Sequence, residues 1–334
     1  MKNDIYPHAN TIVCIEDSKL LKQFQYEILY NAKGLDGALY ELNNINYFQT
    51  YKSAEKHNYG VLLDGLMKET FRLLKNITPT RTIPRLFALY YDIHNIKLVV
   101  KEKYFNKRYD SLSLEYGSYP MPTLRSASVR ESDNILKNEV LTRGIFEALN
   151  RENDAADIDF ILDKVYFKTL LQLAEKLATE KYPAAEIIEF ITEKVDLYNM
   201  SAYFQSIVTA NPDEYFRKAF SDIGSFSLVD WQQHTSEKFI DKDSPIWRKY
   251  SVILDSDAAS DKEQLLAEFD VLTDDYFINK TKICKLTAFG ILPICAYFFN
   301  KFMEIKNVRI LLRGKESNYE TGEIRKRMRI PYEI

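Results

Sequence analysis

Three times in this chain an acidic residue is followed three positions on by asparagine: Asp92–Asn95, Asp196–Asn199 and Glu304–Asn307. An acid beside an amide can hold a proton, a cation or a backbone turn, so the first question is whether a nucleophile, base or metal ligand travels with the pair. None does. His94 lies inside the first copy, but Tyr198 and Lys306 take its place in the others. His8, His57 and His234 have no partner at metal-ligand spacing, so each reads as an ordinary surface or core histidine. Cys14, Cys284 and Cys295 are odd in number and sit in apolar surroundings, which predicts small buried hydrophobes in a reducing compartment. The run Glu152 to Asp159 looks like a cation loop but lacks the glycine and the terminal glutamate of a calcium-binding hand. Its carboxylates fit a helix start better. No glycine-rich loop leads into Lys-Ser or Lys-Thr, so ATP is not bound in that way. The expectation is a chain with no catalytic residue, no cofactor and no metal.

The asparagines recur at intervals of about 105 residues, and their flanks match. Ile93, Leu197 and Ile305 follow the acid directly; Ile96, Met200 and Val308 come four positions after it, and Val100, Phe204 and Leu312 eight. These offsets share one helix face. Farther on come Leu124-Arg125, Phe216-Arg217 and Ile324-Arg325, with an apparent insertion of about a dozen residues, Ser111 to Pro122, in the first copy. The pattern predicts one helical unit used three times. Asparagine is a poor helix former. Kept inside a helix, it either reaches the end of a neighbouring helix, fixing the angle between the two, or lies on the solvated face.

The elements that must position these pairs are helices almost throughout. Glycine and proline number 10 each in 334 residues, too few for a turn-rich β fold. Asp17 and Ser18 open a run with Leu20, Leu21, Phe24, Ile28 and Leu29 on one stripe; a second run covers Val61 to Leu74. The motif helices span about Pro84 to Tyr104, Ala184 to Val208, and Pro293 to Leu312, with partner helices at Ile158 to Leu177 and Leu265 to Leu286. Asp110 to Ser128 reads as a linker and Glu139 to Asn150 as an acidic loop. The uncharged stretch Leu286 to Phe299 is shorter than the roughly 20 residues a spanning helix needs, and Pro293 inside it marks a core helix start. Met1-Lys2-Asn3-Asp4 does not open a signal peptide. A net charge of −3 with both signs interspersed excludes the basic field of a nucleic-acid binder. The cluster Arg325-Lys326-Arg327-Met328-Arg329 reads as a solvated helix face, or as a patch for acidic protein or anionic lipid.

The C-terminal block is the most specific part of the sequence. Phe289-Gly290-Ile291-Leu292-Pro293-Ile294, Ala296-Tyr297 and Glu304-Ile305-Lys306-Asn307-Val308-Arg309 through Lys315 resemble the signature of the C subunit of V/A-type ATPases, whose eukaryotic relative is the V-ATPase d subunit. Tyr90 to Lys97, Asn10 to Val13, Lys19-Leu20-Leu21 and Glu323-Ile324-Arg325 support the resemblance, while Ser201 departs from it where Lys97 and Arg309 stand. The resemblance implies an all-α fold of three similar helical lobes with pseudo-threefold symmetry forming a funnel. We place the lobes at 1–128, 129–226 and 227–334. It also implies a non-catalytic subunit, peripheral on the cytoplasmic face of the membrane, that links a central D–F shaft to the membrane rotor ring (K, c or L subunits). Torque passed through it would serve H+ or Na+ transport or ATP synthesis. The residues expected at partner contacts are Arg108, Arg217, Arg313, Lys315 and Arg325, beside the structural Asp92, Asn95, Asp196, Asn199, Glu304 and Asn307. The residues alone leave two further readings open, a helical-repeat scaffold or adaptor of another assembly and an all-helical enzyme.

Overall fold

A computed structural model describes residues 7–48, 58–130, 133–150, 154–236, 239–254, 262–286 and 290–333. His57, Glu152, Asn153 and Phe289, and the N-terminal Met1 to Asp4, lie outside the described residues. The fold is all-α. Fifteen α-helices are described, and the sole strand pairing among the described residues joins Thr235–Ser236 to Phe239–Ile240. The chain forms two compact units, Thr80–Ser251 and the pair of end segments Met1–Pro79 with Val252–Ile334.

In the continuous unit, α5 (Thr82–Phe105) and α9 (Ala185–Ser206) are the first two motif helices. Between them in sequence, α8 (Ala155–Thr179) packs on both and on α7 (Glu139–Ala148). Ile96, Val99, Leu162, Ile145 and Val195 meet in one apolar core. Asp154 caps α8, its Oδ1 accepting from the N–H groups of Ala156 and Asp157 at 2.7 and 2.8 Å, so the acidic run does start a helix. Asn106, with φ of 50°, ends α5 in a left-handed turn.

In the divided unit, the third motif helix α14 (Leu292–Glu316) packs against α1 (Pro7–Asp17), α3 (Gly34–Asn44), α4 (Tyr59–Ile77) and α13 (Lys262–Lys282), with α15 (Thr321–Lys326) on its C-terminal side. The N-terminal helices therefore serve the last motif.

Several local expectations change. The run from Asp17 is not one helix: α1 ends at Asp17 and α2 (Gln23–Asn31) starts after a break. Leu21 N–H donates to Glu304 Oε2 at 2.5 Å, which holds the backbone out of helix there. Phe24 and Ile28 face outward, while Leu20 and Leu21 are buried in the break. The acidic loop is the helix α7; Asn138 caps it, and Leu141, Ile145 and Ala148 supply a buried stripe. The linker contains α6 (Met121–Ala127), with Leu124 and Ala127 buried. Cys14 is exposed and Cys284 and Cys295 are half-buried, contrary to the expected full burial, although desolvation pushes the Cys295 thiol up to about 12.

Candidate functional site: three asparagine clasps

All three motif asparagines are buried and do one job. Asn95 Nδ2 donates to the carbonyl of Leu114 at 2.7 Å, and Leu114 N–H returns to Asn95 Oδ1 at 3.0 Å. Asn199 makes the same exchange with Ser221, both bonds 2.9 Å, and Asn307 with Arg329, again 2.9 Å each. A carboxamide carries one donor face and one acceptor face, like a peptide group, so it pairs with both backbone groups of one residue. Ser221 and Arg329 are themselves buried, and Leu114 half-buried, so their backbone groups are shielded from water and need such a partner. The pairing explains why a poor helix former sits mid-helix. It also corrects the expectation that the amide braces a neighbouring helix end, since it closes on a loop residue 19 or 22 positions later in its own copy. In the second and third copies that residue follows a short helix, α10 (Pro212–Ala219) or α15.

The clasp residues also re-register the repeat. Phe216 and Ile324 precede their clasp partners Ser221 and Arg329, but Leu124 follows Leu114. Leu124-Arg125 is thus no counterpart of the other two pairs. Up to the clasp, the first copy is three residues shorter, with no insertion.

Three residues beyond the clasp stand Gly117, Gly224 and Tyr332. A Cβ on Gly117 would collide with Asp92 Oδ1, and one on Gly224 would lie 2.5 Å from Asp196 Oδ1 and 3.4 Å from Asn199 Nδ2. Glycine lets the turn close over the acid and the amide together. Backbone N–H groups then fill the carboxylates: Tyr119 donates to Asp92 Oδ1 at 3.0 Å and Ser225 to Asp196 Oδ1 at 2.6 Å. The sequence reading missed this half of the motif, although Gly117-Ser118-Tyr119 and Gly224-Ser225-Phe226 are visible as a Gly-Ser-aromatic pair.

The three carboxylates differ in charge partner. Asp196 takes Tyr250 Oη at 2.7 Å and Lys249 Nζ at 3.1 Å on its second oxygen; Glu304 takes Lys301 Nζ at 2.6 Å. Asp92 has amide and hydroxyl donors from Ser118 and Tyr119, with Arg85 acting only through space. Burial wins and lifts its carboxyl to about 6. The folded state therefore holds this proton more tightly than the unfolded chain, and the contribution of Asp92 to stability falls as pH rises from about 4 to about 6. Asp92→Asn does not titrate. Relative to wild type, the variant is expected to gain about 2 kcal/mol in urea unfolding between pH 4.5 and 7, at 1.36 kcal/mol per pKa unit. A constant difference across that range would contradict the assignment.

One position beyond Ile96 and Val308, the first and third copies carry a cation that pairs with a partner helix. Lys97 Nζ meets Asp163 on α8 at 2.6 Å, and Arg309 meets Asp64 on α4 at 3.0 Å. Thr169 and Thr70, each six residues after that aspartate, both bond back to the carbonyl four residues earlier at 2.8 Å. Helix α4 thus stands to α14 as α8 stands to α5.

The expected contact residues divide. Arg217 and Arg313 are exposed, and Arg108 is exposed with a 3.4 Å pair to Glu102. Lys315 Nζ instead caps the end of α2, donating to the carbonyls of Tyr30 and Ala32 at 2.7 Å each. Arg325 pairs with Glu27 at 2.7 Å and covers the Tyr30 ring. Arg329 is buried, its Nε 2.8 Å from Asp274, and Arg327 lies over Tyr319. Within the C-terminal basic cluster, Arg325, Lys326 and Arg327 are exposed, as a solvated face would be, and of its cations Arg329 alone is buried. His94 Nε2 lies 2.9 Å from the carbonyl of Leu112, within the first copy's loop. No group of His, Cys, Asp and Glu among the described residues is arranged to hold a metal ion.

The sequence comparisons agree with this architecture. Residues 9–327 match the family described as ATP synthase (C/AC39) subunit. The C subunit of the V-type sodium ATPase of Enterococcus hirae is 24% identical, over 98% of this chain and 99% of its own length. The C subunit of the A-type ATP synthase of Methanocaldococcus jannaschii is 21% identical over 93% of this chain and 81% of its own, and that of Methanococcoides burtonii 24% over 97% and 94%. The family is a structural, non-catalytic component of rotary ATPase complexes, and this chain, matched over nearly its whole length, belongs to it: the C/AC39 subunits of V- and A-type ATP synthases.

Proposed function

We propose that this chain is the rotor component that links the central D–F shaft of a V/A-type rotary ATPase to the membrane ring and passes torque between them, for ATP-driven transport of H+ or Na+ or for ATP synthesis. The observation that carries the proposal is the family match along the chain, joined to a fold whose motif asparagines are spent on fixing loops to helices. A part that passes torque must not yield. Each clasp fixes a loop to a helix through two buried hydrogen bonds, an arrangement that resists deformation better than apolar contact alone. Three lobes in pseudo-threefold order, forming a funnel, belong to the same proposal and are supported by three clasps of one design. So does a peripheral position at the cytoplasmic face. It is supported by the fact that no helix among the described residues is long and apolar enough to cross a membrane.

Arg217, Arg313, Arg108 and Arg325 are exposed and remain candidates for partner contacts, Arg325 while paired with Glu27. Membranes carrying the complex are expected to retain this chain at low salt and release it, with shaft subunits, at high salt. Recovery with an assembly lacking rotary ATPase subunits would overturn the proposal. Arg217→Glu with Arg313→Glu is expected to weaken retention about tenfold, or about 1.4 kcal/mol, in a pull-down at low ionic strength. Lys315→Glu is expected to unfold more easily instead, because it loses the α2 cap.

A further inference from the structure

In the first two clasps a glycine turn covers the acid, and in the second the amide as well; in the third, Tyr332 holds the glycine position. A Cβ has no room where Gly224 lies, and in the third copy the Tyr332 hydroxyl donates to the carbonyl of Thr281 at 3.1 Å. What replaces the turn is a small cavity beside Glu304 and Asn307, lined also by Tyr26, Asn300, Pro331 and Tyr332. It has room for about one water molecule.

Asn300 supplies the second observation. It is 2% exposed, and its Nδ2 is fully used, donating to Ala296 O at 2.7 Å and Thr281 Oγ1 at 2.9 Å. A carbonyl can only accept, so the amide cannot be turned around. Its Oδ1 is left buried with no protein donor, in a residue that lines the cavity. Buried acceptors of this kind are almost always satisfied. The charge in the cavity is already balanced, because Glu304 takes Lys301 on one oxygen and the Leu21 N–H on the other. The ligand must therefore be small, neutral and a donor.

We propose that the third clasp binds one structural water, which donates to Asn300 Oδ1 and stands where the glycine turn stands in the other two copies. Glu304, Asn307 and Tyr26 give it the further polar partners a buried water needs. The third copy is thus closed by solvent and the first two by backbone.

The test is crystallography of the full chain at a resolution that defines waters, with crystals grown in sodium, ammonium and caesium salts. One density peak within hydrogen-bond distance of Asn300 Oδ1, unchanged by the cation, is the expected result. A peak that strengthens in caesium would make the site a cation site, and ordered side chains without a peak would remove it. Asn300→Met takes away the acceptor. Oxygen-17 relaxation dispersion in solution should then lose one long-lived water relative to wild type. If Asn300→Met fails to fold, the wild-type crystals still decide, and an unchanged count in a folded variant overturns the assignment.

Discussion

Asn199→Ala is expected to lower the unfolding free energy by about 2–6 kcal/mol, the sum of about 1–3 kcal/mol for each of two orphaned backbone groups. The side chain is fully buried, and the groups left behind are the N–H and the carbonyl of Ser221. Alanine is the better helix former, so helix propensity pulls the other way by less than about 1 kcal/mol. Asn199→Asp separates the two halves of the clasp. It keeps an acceptor for the Ser221 N–H but turns a carboxylate oxygen toward the Ser221 carbonyl, and should destabilise at least as much at neutral pH. Urea unfolding measures all three proteins. A loss below about 0.5 kcal/mol in Asn199→Ala would mean that the amide is a bystander.

Asp196→Ala should cost about 3 kcal/mol. Asp196 is fully buried and joins three donors from two segments: Ser225 N–H, Lys249 Nζ and Tyr250 Oη. Removing the carboxylate strands the Tyr250 hydroxyl and the Ser225 amide, and takes the ion-pair partner from a lysine that is only about one-third exposed. Truncating one member of a buried pair costs about 3–5 kcal/mol, and the partial exposure of Lys249 places this case at the lower end. Asp196→Asn keeps an acceptor for the Ser225 N–H and can turn its amide N–H to the Tyr250 oxygen, losing the charge that Lys249 pairs with, so it should recover about half of the loss. If alanine and asparagine were equally damaging, charge pairing would outweigh the turn, and the common design of the three copies would have to be restated.

The sequence showed the repetition but not its purpose. Acid and asparagine are three apart in every copy, and their apolar flanks share a helix face, so α5, α9 and α14 were located within a few residues. The partner of each asparagine was hidden. An amide that reads a backbone places no demand on the identity of the residue it holds, and Leu114, Ser221 and Arg329 share nothing. The glycine turn was legible in two copies and masked by Tyr332 in the third. The basic C-terminus was legible at Arg325, Lys326 and Arg327, which are exposed, but not at Arg329: sequence counts charges, while the Asp274 carboxylate that absorbs Arg329 comes from a distant segment. Composition likewise could not reveal that Glu304 breaks the first helical run, because the bond to Leu21 spans nearly the whole chain.

The central claim is that this protein carries motion between shaft and ring. It is tested most directly by removing the chain from membrane-bound complexes and restoring it, while ATP hydrolysis and ion uptake into vesicles are recorded together. ATP hydrolysis is expected to persist without the chain, ion uptake to vanish, and uptake to return when the purified chain is added back. Ion uptake that continues undiminished in complexes shown to lack it would contradict the account.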